Sequence, residues 1–276
     1  IQPPVYHPFA WVTTRNERTL VINPLKWENG MYRMDLDAFR EQIKGCKLFI
    51  LCNPHNPGGV VWTEAELRAI ADICYDEKVL VFSDEIHADL TLPPHTHRPF
   101  ATVSEKARMN SVTFMSPSKA FNMPGLSASH ALIFNEDLRK RFRIYMDAGE
   151  LDMGHVFAFL SVEAAYSHGT EWLDQCLAYI QGNIDFVDDF LKNHAPKIKA
   201  IRPEASYLVW LDCRELELSQ KDLNEFFVDK AHLALNDGEM FGKEGIGFMR
   251  LNVASPRCII EKAMKQLADA YQLYIK

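Results

Sequence analysis

Two apolar runs enclose an amphipathic segment in the first half of the chain. The runs are LFILC at residues 48–52 and VLVFS at residues 79–83, and between them lie a turn-rich NPHNPGG stretch and the segment TEAELRAIADICYDEK. Strand, helix and strand in this order predict a βαβ unit. Because both runs are continuously apolar rather than alternating, they indicate parallel strands that are covered on both faces.

The segment between the two runs carries its own helix start signal. Thr63 with Glu66 three residues later is the signature of a capping box, in which each side chain accepts from the backbone N–H of the other residue. The apolar residues of the segment fall on one helical face, and they are Leu67, Ile70, Ala71 and Cys74. The sequence therefore predicts a helix with one side packed on the sheet.

Further apolar runs extend this pattern towards the C terminus. SVTFM at residues 111–115 and HALIF at residues 130–134 predict a third and a fourth strand. Beyond them we predict long helices over 136–168 and 170–192, strands within 205–213 and 245–254, and a closing amphipathic helix, CIIEKAMKQLADAYQLYI. The predicted fold class is α/β, a mostly parallel sheet sandwiched by helices, followed by a smaller α+β C-terminal domain. We place the large domain at residues 1–165 and the small domain at residues 166–276.

Composition narrows the functional classes. The chain has 276 residues, 30 Lys and Arg against 37 Asp and Glu, and a net charge of -7. Since nucleic acids and anionic membranes both require clustered basic groups, we expect neither kind of partner. Six cysteines lie scattered without a CxxC pair or a metal-ligand spacing, which indicates reduced thiols in a cytoplasmic protein and no metal site. No apolar run approaches the roughly 18 residues of a membrane span.

Polar side chains follow three successive predicted strands. In an open parallel sheet, ligands bind beyond the carboxyl ends of the strands, where the connecting loops converge. The loops supply residues 53–59, then Asp84, Glu85 and His87, and then Ser116, Ser118 and Lys119. Each group alone has a simple structural explanation as a turn former, a helix cap or a solvated charge. An amide, a carboxylate and an amine together on one edge predict a binding site instead.

Four motifs in chain order carry a resemblance to a known family. NPHNPGG, SDEIH, SPSKAFNMPGL and MRLNVA resemble the ordered motifs of the fold-type I pyridoxal-phosphate (PLP) enzymes, the aspartate aminotransferase superfamily. Within it, CNPHNPGG with SDEIHADL is similar to the MalY/PatB branch of C–S β-lyases, which includes cystathionine β-lyases and cystalysin. The resemblance spans essentially the whole chain, and it implies pyridoxal 5'-phosphate as the cofactor, bound in the large domain.

The start of the chain differs from the members of this superfamily. The first residues, IQPPVYHPFAWVTT, include no initiator Met and no basic flank followed by an apolar stretch, as a signal peptide would have. They resemble the middle of a domain. Because superfamily members extend further at the N terminus, we expect an N-terminal arm and the first part of the large domain to be missing from this sequence.

The resemblance implies a role for the residues at the strand ends. Lys119 matches the lysine whose amine forms a Schiff base with the aldehyde cofactor and, once released by substrate, shuttles the α-proton. Asp84 matches the carboxylate that keeps the pyridine nitrogen protonated. Asn56 matches the amide that donates to the phenolic oxygen of the cofactor. His87 stands where many aminotransferases carry a tyrosine, and it either contacts the cofactor or packs beside it.

Four more residues match positions that bind the cofactor or the substrate. Ser116 and Ser118 flank the lysine and are expected to donate to the cofactor phosphate. Tyr6 matches an aromatic ring that stacks on the cofactor face, and the alternative is a tyrosine packed at a strand–loop junction. Arg250 matches the arginine that binds the substrate α-carboxylate through two hydrogen bonds.

The resemblance implies an enzyme acting on a small amino-acid substrate. The MalY/PatB motifs favour β-elimination from L-cystathionine, L-cysteine or related thioether amino acids, which yields pyruvate, ammonia and a thiol. The first alternative is a class I/II aminotransferase, because the shared residues serve both reactions. The second alternative is a PLP-binding regulatory or interaction protein. By analogy with the superfamily we also expect a homodimer.

Overall fold

The computed structural model describes residues 1–154 and 156–274, and its main sheet is assembled from the predicted apolar runs. A hairpin of β1 (Lys26–Glu28) and β2 (Met31–Arg33) precedes a four-stranded sheet of β3 (Leu48–Cys52), β4 (Leu80–Asp84), β5 (Ser111–Met115) and β6 (His130–Leu132). The strands lie in the order β3-β4-β5-β6, with the first three parallel and β6 antiparallel to β5. The predicted α/β class is therefore confirmed, and the sheet is mostly parallel.

Helices fill the connections and the C-terminal half. They are α1 (Pro8–Arg15), α2 (Leu36–Gln42), α3 (Glu64–Asp76), α4 (Glu105–Met109), α5 (Glu136–Ala148), α6 (Val156–His168), α7 (Thr170–His194), α8 (Gln220–Glu225) and α9 (Arg257–Tyr274). The capping box of α3 is confirmed, because Thr63 Oγ1 accepts from the Glu66 N–H at 3.2 Å and Glu66 Oε2 accepts from the Thr63 N–H at 2.8 Å. Among the described residues, no helix is long and apolar enough to cross a membrane.

The prediction of one continuous helix over 136–168 is wrong. Gly149 caps the end of α5, and α6 begins only at Val156. The Leu151 N–H bonds back to the Met146 carbonyl at 3.0 Å, which closes the last turn of α5. The sequence changes here from the charged residues of α5 to the mainly apolar residues of α6, and the prediction overlooked this change.

A second sheet forms in the C-terminal half. Its strands are β7 (Lys199–Ile201), β8 (Leu208–Asp212), β9 (Asn236–Asp237) and β10 (Phe248–Asn252). They lie in the order β7-β8-β10-β9, and every neighbouring pair is antiparallel. Buried residues of α7, such as Val187, and of α9, such as Leu267, share one apolar core with Val209 and Leu211 of β8. The predicted α+β character of the C-terminal part is confirmed.

An aromatic cluster joins the second sheet to the first part of the chain. Trp210 of β8 and Phe248 of β10 belong to the same core cluster as the βαβ unit, and their rings stack at a centroid distance of 5.2 Å. Trp210 Nε1 donates to Tyr32 Oη at 3.1 Å. The second sheet therefore packs firmly on the first part of the chain, and the domain division between residues 165 and 166 stays a prediction.

The predicted cover on both faces of the main sheet is only partly confirmed. The α3 side is closed, with Leu67 and Ile70 fully buried. On the other side Leu48 is 39% exposed, and Ile50 and Phe82 line a cavity of about 740 Å³ that reaches α1 and α2. On this face, the described residues therefore leave part of the apolar surface of β3 and β4 uncovered.

Candidate active site

The carboxyl ends of β3, β4 and β5 lie side by side. Cys52 stands opposite Asp84, and Asp84 stands opposite Phe114. The pairing continues beyond the strands, because the Asn53 N–H donates to the Asp84 carbonyl at 2.9 Å and the Glu85 N–H donates to the Phe114 carbonyl at 2.8 Å. The three polar loops predicted from the sequence therefore begin next to one another.

The loop after β3 is held against the second sheet. Gly59 has a φ of +69°, and a Cβ there would lie 2.5 Å from the Pro203 Cβ, so a larger residue does not fit. The Gly59 carbonyl accepts from the N–H groups of Glu204 and Ala205 at 2.8 and 3.1 Å. This junction brings Asn56, which lies in the same loop, within reach of β10.

Two amide oxygens and a ring hold the side chain of Arg250 on β10. Its Nη1 donates to Asn56 Oδ1 at 2.8 Å, and its Nη2 donates to Asn236 Oδ1 at 2.7 Å. Asn236 stands directly across the β9–β10 pair, and the Phe241 ring centroid lies 4.7 Å from the Arg250 Cζ. Burial lowers the pKa of Arg250, and two nearby tyrosines oppose this effect. The guanidinium is thus preoriented, with N–H groups left for a carboxylate.

Asp84 is a sparsely hydrogen-bonded carboxylate at the end of β4. Its Oδ1 accepts from the Ile86 N–H at 3.3 Å. Burial is the main cause that raises the pKa of Asp84 to about 6, and the negative charge of Glu85 raises it further. The hydrogen bond from the Ile86 N–H and the charge of Lys119 both lower the pKa of Asp84. A cation beside this carboxylate would favour its ionised form.

His87 and Lys119 lie close to Asp84. His87 is only 5% exposed, and its ring centroid is 6.2 Å from that of Tyr207. Burial lowers the pKa of His87 to about 3, and the charges of Lys119 and Arg250 lower it further, so the imidazole is neutral at pH 7. Because Lys119 acts electrostatically on both Asp84 and His87, its amine belongs to the same site.

The two serines beside Lys119 bond to the chain itself. Ser116 Oγ and Ser118 Oγ both donate to the Ala128 carbonyl, at 2.5 and 3.4 Å. The Ser118 N–H donates to Ser116 Oγ at 3.1 Å. These bonds bring the two hydroxyls together, and their contact with a phosphate stays a prediction.

Tyr6 lies just before α1 and near Arg250. Its ring contacts those of His7 and Phe9 at centroid distances of 5.4 and 5.7 Å, and it interacts electrostatically with Arg250. The His7 ring lies 6.0 Å from that of Phe241. Tyr6 is therefore close to Arg250, and its place at a cofactor site, stacked on the cofactor ring, stays a prediction.

Sequence reasoning missed four residues of this site: His7, Tyr207, Asn236 and Phe241. Asn236 belongs to a strand of two residues, which is too short to show a periodic pattern. Phe241 and Tyr207 occur in segments whose aromatic residues are typical of a core. Only His7, next to the predicted Tyr6, had a signal in the sequence, namely its place in the aromatic stretch VYHPF.

Buried polar atoms without a hydrogen-bond partner occur on three site residues. Among the described residues they include His7 Nδ1, His87 Nδ1 and Arg250 Nε. Buried polar groups in native proteins are nearly always paired with the protein, water or a ligand. Their presence beside Asp84 and Lys119 indicates a site built for a polar molecule.

Sequence comparison decides the family. A model of the family "Aminotransferase class I and II" matches residues 1–267, nearly the whole length. The chain belongs to this family. Cystathionine beta-lyase PatB of Bacillus subtilis (strain 168) is 38% identical over 272 residues, which cover 98% of this chain and 70% of PatB. Protein MalY of Escherichia coli (strain K12) is 32% identical over 273 residues, covering 98% of this chain and 69% of MalY.

A solved structure of this aminotransferase family has the same fold. The crystal structure of cystalysin from Treponema denticola, which contains a pyridoxal 5'-phosphate cofactor, matches with a TM-score of 0.96 and 35% sequence identity. The match covers 100% of this chain and 70% of cystalysin. The resemblance inferred from the four motifs is therefore confirmed at the level of family and fold.

Proposed function

We propose that this protein is a PLP-dependent C–S β-lyase. It would convert L-cystathionine, L-cysteine or a related thioether amino acid, with one water, into pyruvate, ammonia and a thiol. The observation that carries the proposal is that Arg250 of the second sheet meets the edge of the main sheet that carries Asp84 and Lys119, in a chain 38% identical to cystathionine beta-lyase PatB.

The residues present fit PLP. When bound, PLP supplies an aldehyde to an amine and accepts the electron pair left at the substrate α-carbon. Asp84, with a single N–H partner, suits the protonated ring nitrogen. Asn56 accepts from Arg250 through its oxygen, so its amide N–H₂ would be the group that donates to a cofactor oxygen. The neutral His87, with Nδ1 unpaired, suits a contact with the ring or its oxygen.

Lys119 is the residue we assign to covalent cofactor binding and to proton transfer. A lysine amine that has released its cofactor is a base that can remove the α-proton and deliver it elsewhere on the substrate. The neutral His87 beside it adds no competing positive charge. Asp84 and Lys119 interact electrostatically, so both would contact the same bound cofactor.

Ser116, Ser118 and Tyr6 complete the cofactor contacts of the proposal. The two hydroxyls already converge on the Ala128 carbonyl, and a small rotation of either would direct an O–H to a phosphate oxygen. Tyr6 lies on the Arg250 side of the site, where an aromatic ring can cover one face of the cofactor.

Arg250 is the residue we assign to the substrate α-carboxylate. Its guanidinium is fixed by Asn56, Asn236 and Phe241, so little conformational freedom is lost when it binds an anion. Asn56 contacts both this arginine and, in the proposal, the cofactor. Substrate and cofactor would thus be aligned by one side-chain amide.

Asn236→Ala is expected to raise KM for the amino-acid substrate about tenfold while kcat stays within about twofold. The substitution removes one of the two oxygens that orient Arg250, and a bond to a charged donor contributes about 1.5–3 kcal/mol. Asn252→Ala is the matched control on β10. Asn252 Oδ1 accepts from the Ala254 N–H at 2.8 Å, so this substitution removes a hydrogen bond that does not involve Arg250. Steady-state kinetics of the two variants would refute the role if both had the KM of the wild type.

The lyase assignment is tested with L-cystathionine as the only substrate. The PLP-supplemented protein is expected to release pyruvate and a thiol in equal amounts, measured by coupled lactate dehydrogenase and a thiol reagent. No 2-oxo acid is required for β-elimination. Absence of pyruvate, followed by amino-group transfer once a 2-oxo acid is added, would reject the lyase in favour of an aminotransferase.

The aminotransferase is retained as the second candidate because the matched family carries that name. Both reactions begin with loss of the α-proton, so Lys119, Asp84 and Arg250 would serve either one. They differ in the fate of the Cβ substituent, which leaves in the lyase reaction and stays in transamination. The cystathionine experiment therefore separates the candidates without any change to the site.

We propose a homodimer as the assembly. Support comes from exposed apolar side chains on α5 and α6, namely Ile144 at 67%, Tyr145 at 73%, Phe159 at 63% and Leu160 at 55% exposure. Apolar surface of this extent is typical of an interaction site. Sedimentation velocity is expected to show one species of twice the chain mass, and a purely monomeric protein would contradict the assembly.

We place the protein in the cytoplasm. All six cysteines are free thiols, and Cys52, Cys74 and Cys213 are buried. Extracellular domains commonly use their cysteines in disulfides, whereas free thiols persist in reducing compartments. Fractionation of cells that produce the tagged protein would test this placement.

A further inference from the structure

Glu85, the residue after Asp84, is a buried carboxylate for which the proposed chemistry has no use. It is 1% exposed and accepts three hydrogen bonds: from Ser83 Oγ at 2.7 Å, from the Phe100 N–H at 2.9 Å and from His97 Nε2 at 2.7 Å. Burial of a carboxylate is costly unless several donors satisfy it. The two neighbouring carboxylates therefore differ in their hydrogen bonds, since within the described residues Asp84 accepts one, from the Ile86 N–H.

The bond between Ser83 and Glu85 spans Asp84. Because the two flanking side chains bond to each other, they lie on one side of the chain, and Asp84 between them is turned to the other side. The backbone here is also pinned on both edges, by Asn53 at the Asp84 carbonyl and by the Phe114 carbonyl at the Glu85 N–H. The Asp84 carboxylate is therefore aimed at the site by the contacts of its neighbours.

Glu85 also ties a separate segment to the end of β4. Residues 97–100 follow an irregular, proline-containing connection, and both the His97 ring and the Phe100 N–H bond to Glu85. Asn53 Nδ2 binds the carbonyl of Arg98 in the same segment at 3.2 Å. Since His97 Nδ1 is buried without a partner, the ring proton lies on Nε2, where it is donated to the carboxylate.

We infer that Glu85 is a positioning residue, which holds the Asp84 carboxylate in the orientation that binds the cofactor ring by bonding Ser83, His97 and the Phe100 N–H. This inference rests on the proposed function, because Asp84 is assigned to the cofactor there. Glu85 itself touches neither cofactor nor substrate. It acts only through the backbone and side-chain orientation of its neighbour.

Charge and orientation predict opposite effects of Glu85→Gln. The negative charge of Glu85 raises the pKa of Asp84, so its removal alone would make Asp84 a better partner for a cation. Loss of orientation has the reverse effect, because a glutamine amide donates where the carboxylate oxygen accepted, and His97 keeps the contact only by moving its proton to Nδ1, which is buried without a partner. Weaker cofactor binding in the glutamine variant is therefore specific to positioning.

The test is a double-mutant cycle on cofactor affinity. The dissociation constant of PLP is measured by titrating the cofactor-free protein and following visible absorbance, in the wild type, Glu85→Gln, Asp84→Asn and the double variant. In the wild-type background, Glu85→Gln is expected to raise the dissociation constant of PLP about tenfold. In the Asp84→Asn background, the same substitution is expected to leave that constant unchanged. Equal losses in both backgrounds, or unchanged affinity in Glu85→Gln, would overturn the inference.

Two further variants keep the test decisive. Asp212→Asn is the matched control, because Asp212, like Glu85, is a carboxylate at a strand end that accepts three hydrogen bonds, here from Arg214. This substitution is expected to lower the thermal midpoint without changing the affinity for PLP. If Glu85→Gln does not fold, Ser83→Ala removes one bond to Glu85 and is expected to weaken PLP binding about threefold, and wild-type affinity there would refute the inference. A wild type that bound no PLP would instead overturn the proposed function.

Discussion

Replacement of Lys119 by alanine is expected to lower kcat for β-elimination about a thousandfold. Proton transfer by a positioned side chain contributes about 10²–10⁴-fold to rates, and in the proposal Lys119 is the group that moves the α-proton. The fold should survive, because Lys119 is partly exposed in the turn after β5, outside any helix or strand. The rate of pyruvate release from L-cystathionine checks the loss of kcat, and the thermal midpoint of unfolding checks that the fold is intact.

Lys140→Ala is the control for the Lys119 variant. Lys140 lies on the outer face of α5 in an ion pair with Glu136, far along the chain from the sheet edge. It should retain wild-type kcat and KM. A Lys119→Ala protein with undiminished pyruvate release would refute the catalytic assignment, and one that kept a cellular role without catalysis would favour the regulatory alternative.

Asp84→Asn is expected to lower kcat about a thousandfold and yet to stabilise the cofactor-free protein above pH 6. The neutral amide cannot favour a protonated ring nitrogen, which removes the electrostatic part of the proposed catalysis. Burial raises the pKa of Asp84 to about 6 from its usual 3.8, so the folded chain binds this proton more tightly than the unfolded chain. Stability from Asp84 is thus highest below about pH 4 and is lost as the pH rises through 6.

The pH dependence of unfolding separates these two effects of Asp84→Asn. In urea melts without cofactor, the free energy of unfolding of the variant should exceed that of the wild type by about 3 kcal/mol at pH 7.5, because asparagine has no charge to desolvate. At about pH 4 the two should be equal. A variant that is less stable than the wild type at pH 7.5 would show that the carboxylate has compensating contacts in the folded protein.

The βαβ unit could be predicted because its signals are local. The apolar runs of β3, β4 and β5 and the Thr63–Glu66 capping box each specify an element within a few residues of sequence. The parallel order then follows from the crossover helix α3. Asp84 and Lys119 were identified as candidates for the same reason, since Asp84 ends β4 and Lys119 lies in the turn after β5.

Long-range pairing limited the rest of the prediction. Asn236 is matched to Arg250 by the β9–β10 register, across 14 residues that include irregular turns. The role of Ser116 depends on Ala128, which a change of chain direction after Lys119 brings close. The break after Gly149, by contrast, coincides with a change from the charged sequence of α5 to the mainly apolar sequence of α6, so the sequence did carry a signal for it.

Reduction by borohydride is the most direct test of the central claim that PLP binds covalently to Lys119. The protein is incubated with PLP, treated with borohydride to make the bond permanent, digested and analysed by mass spectrometry. The account predicts a phosphopyridoxyl group on the peptide that contains Lys119, and its loss in Lys119→Ala. An unmodified Lys119 peptide, or the label on another lysine, would contradict it.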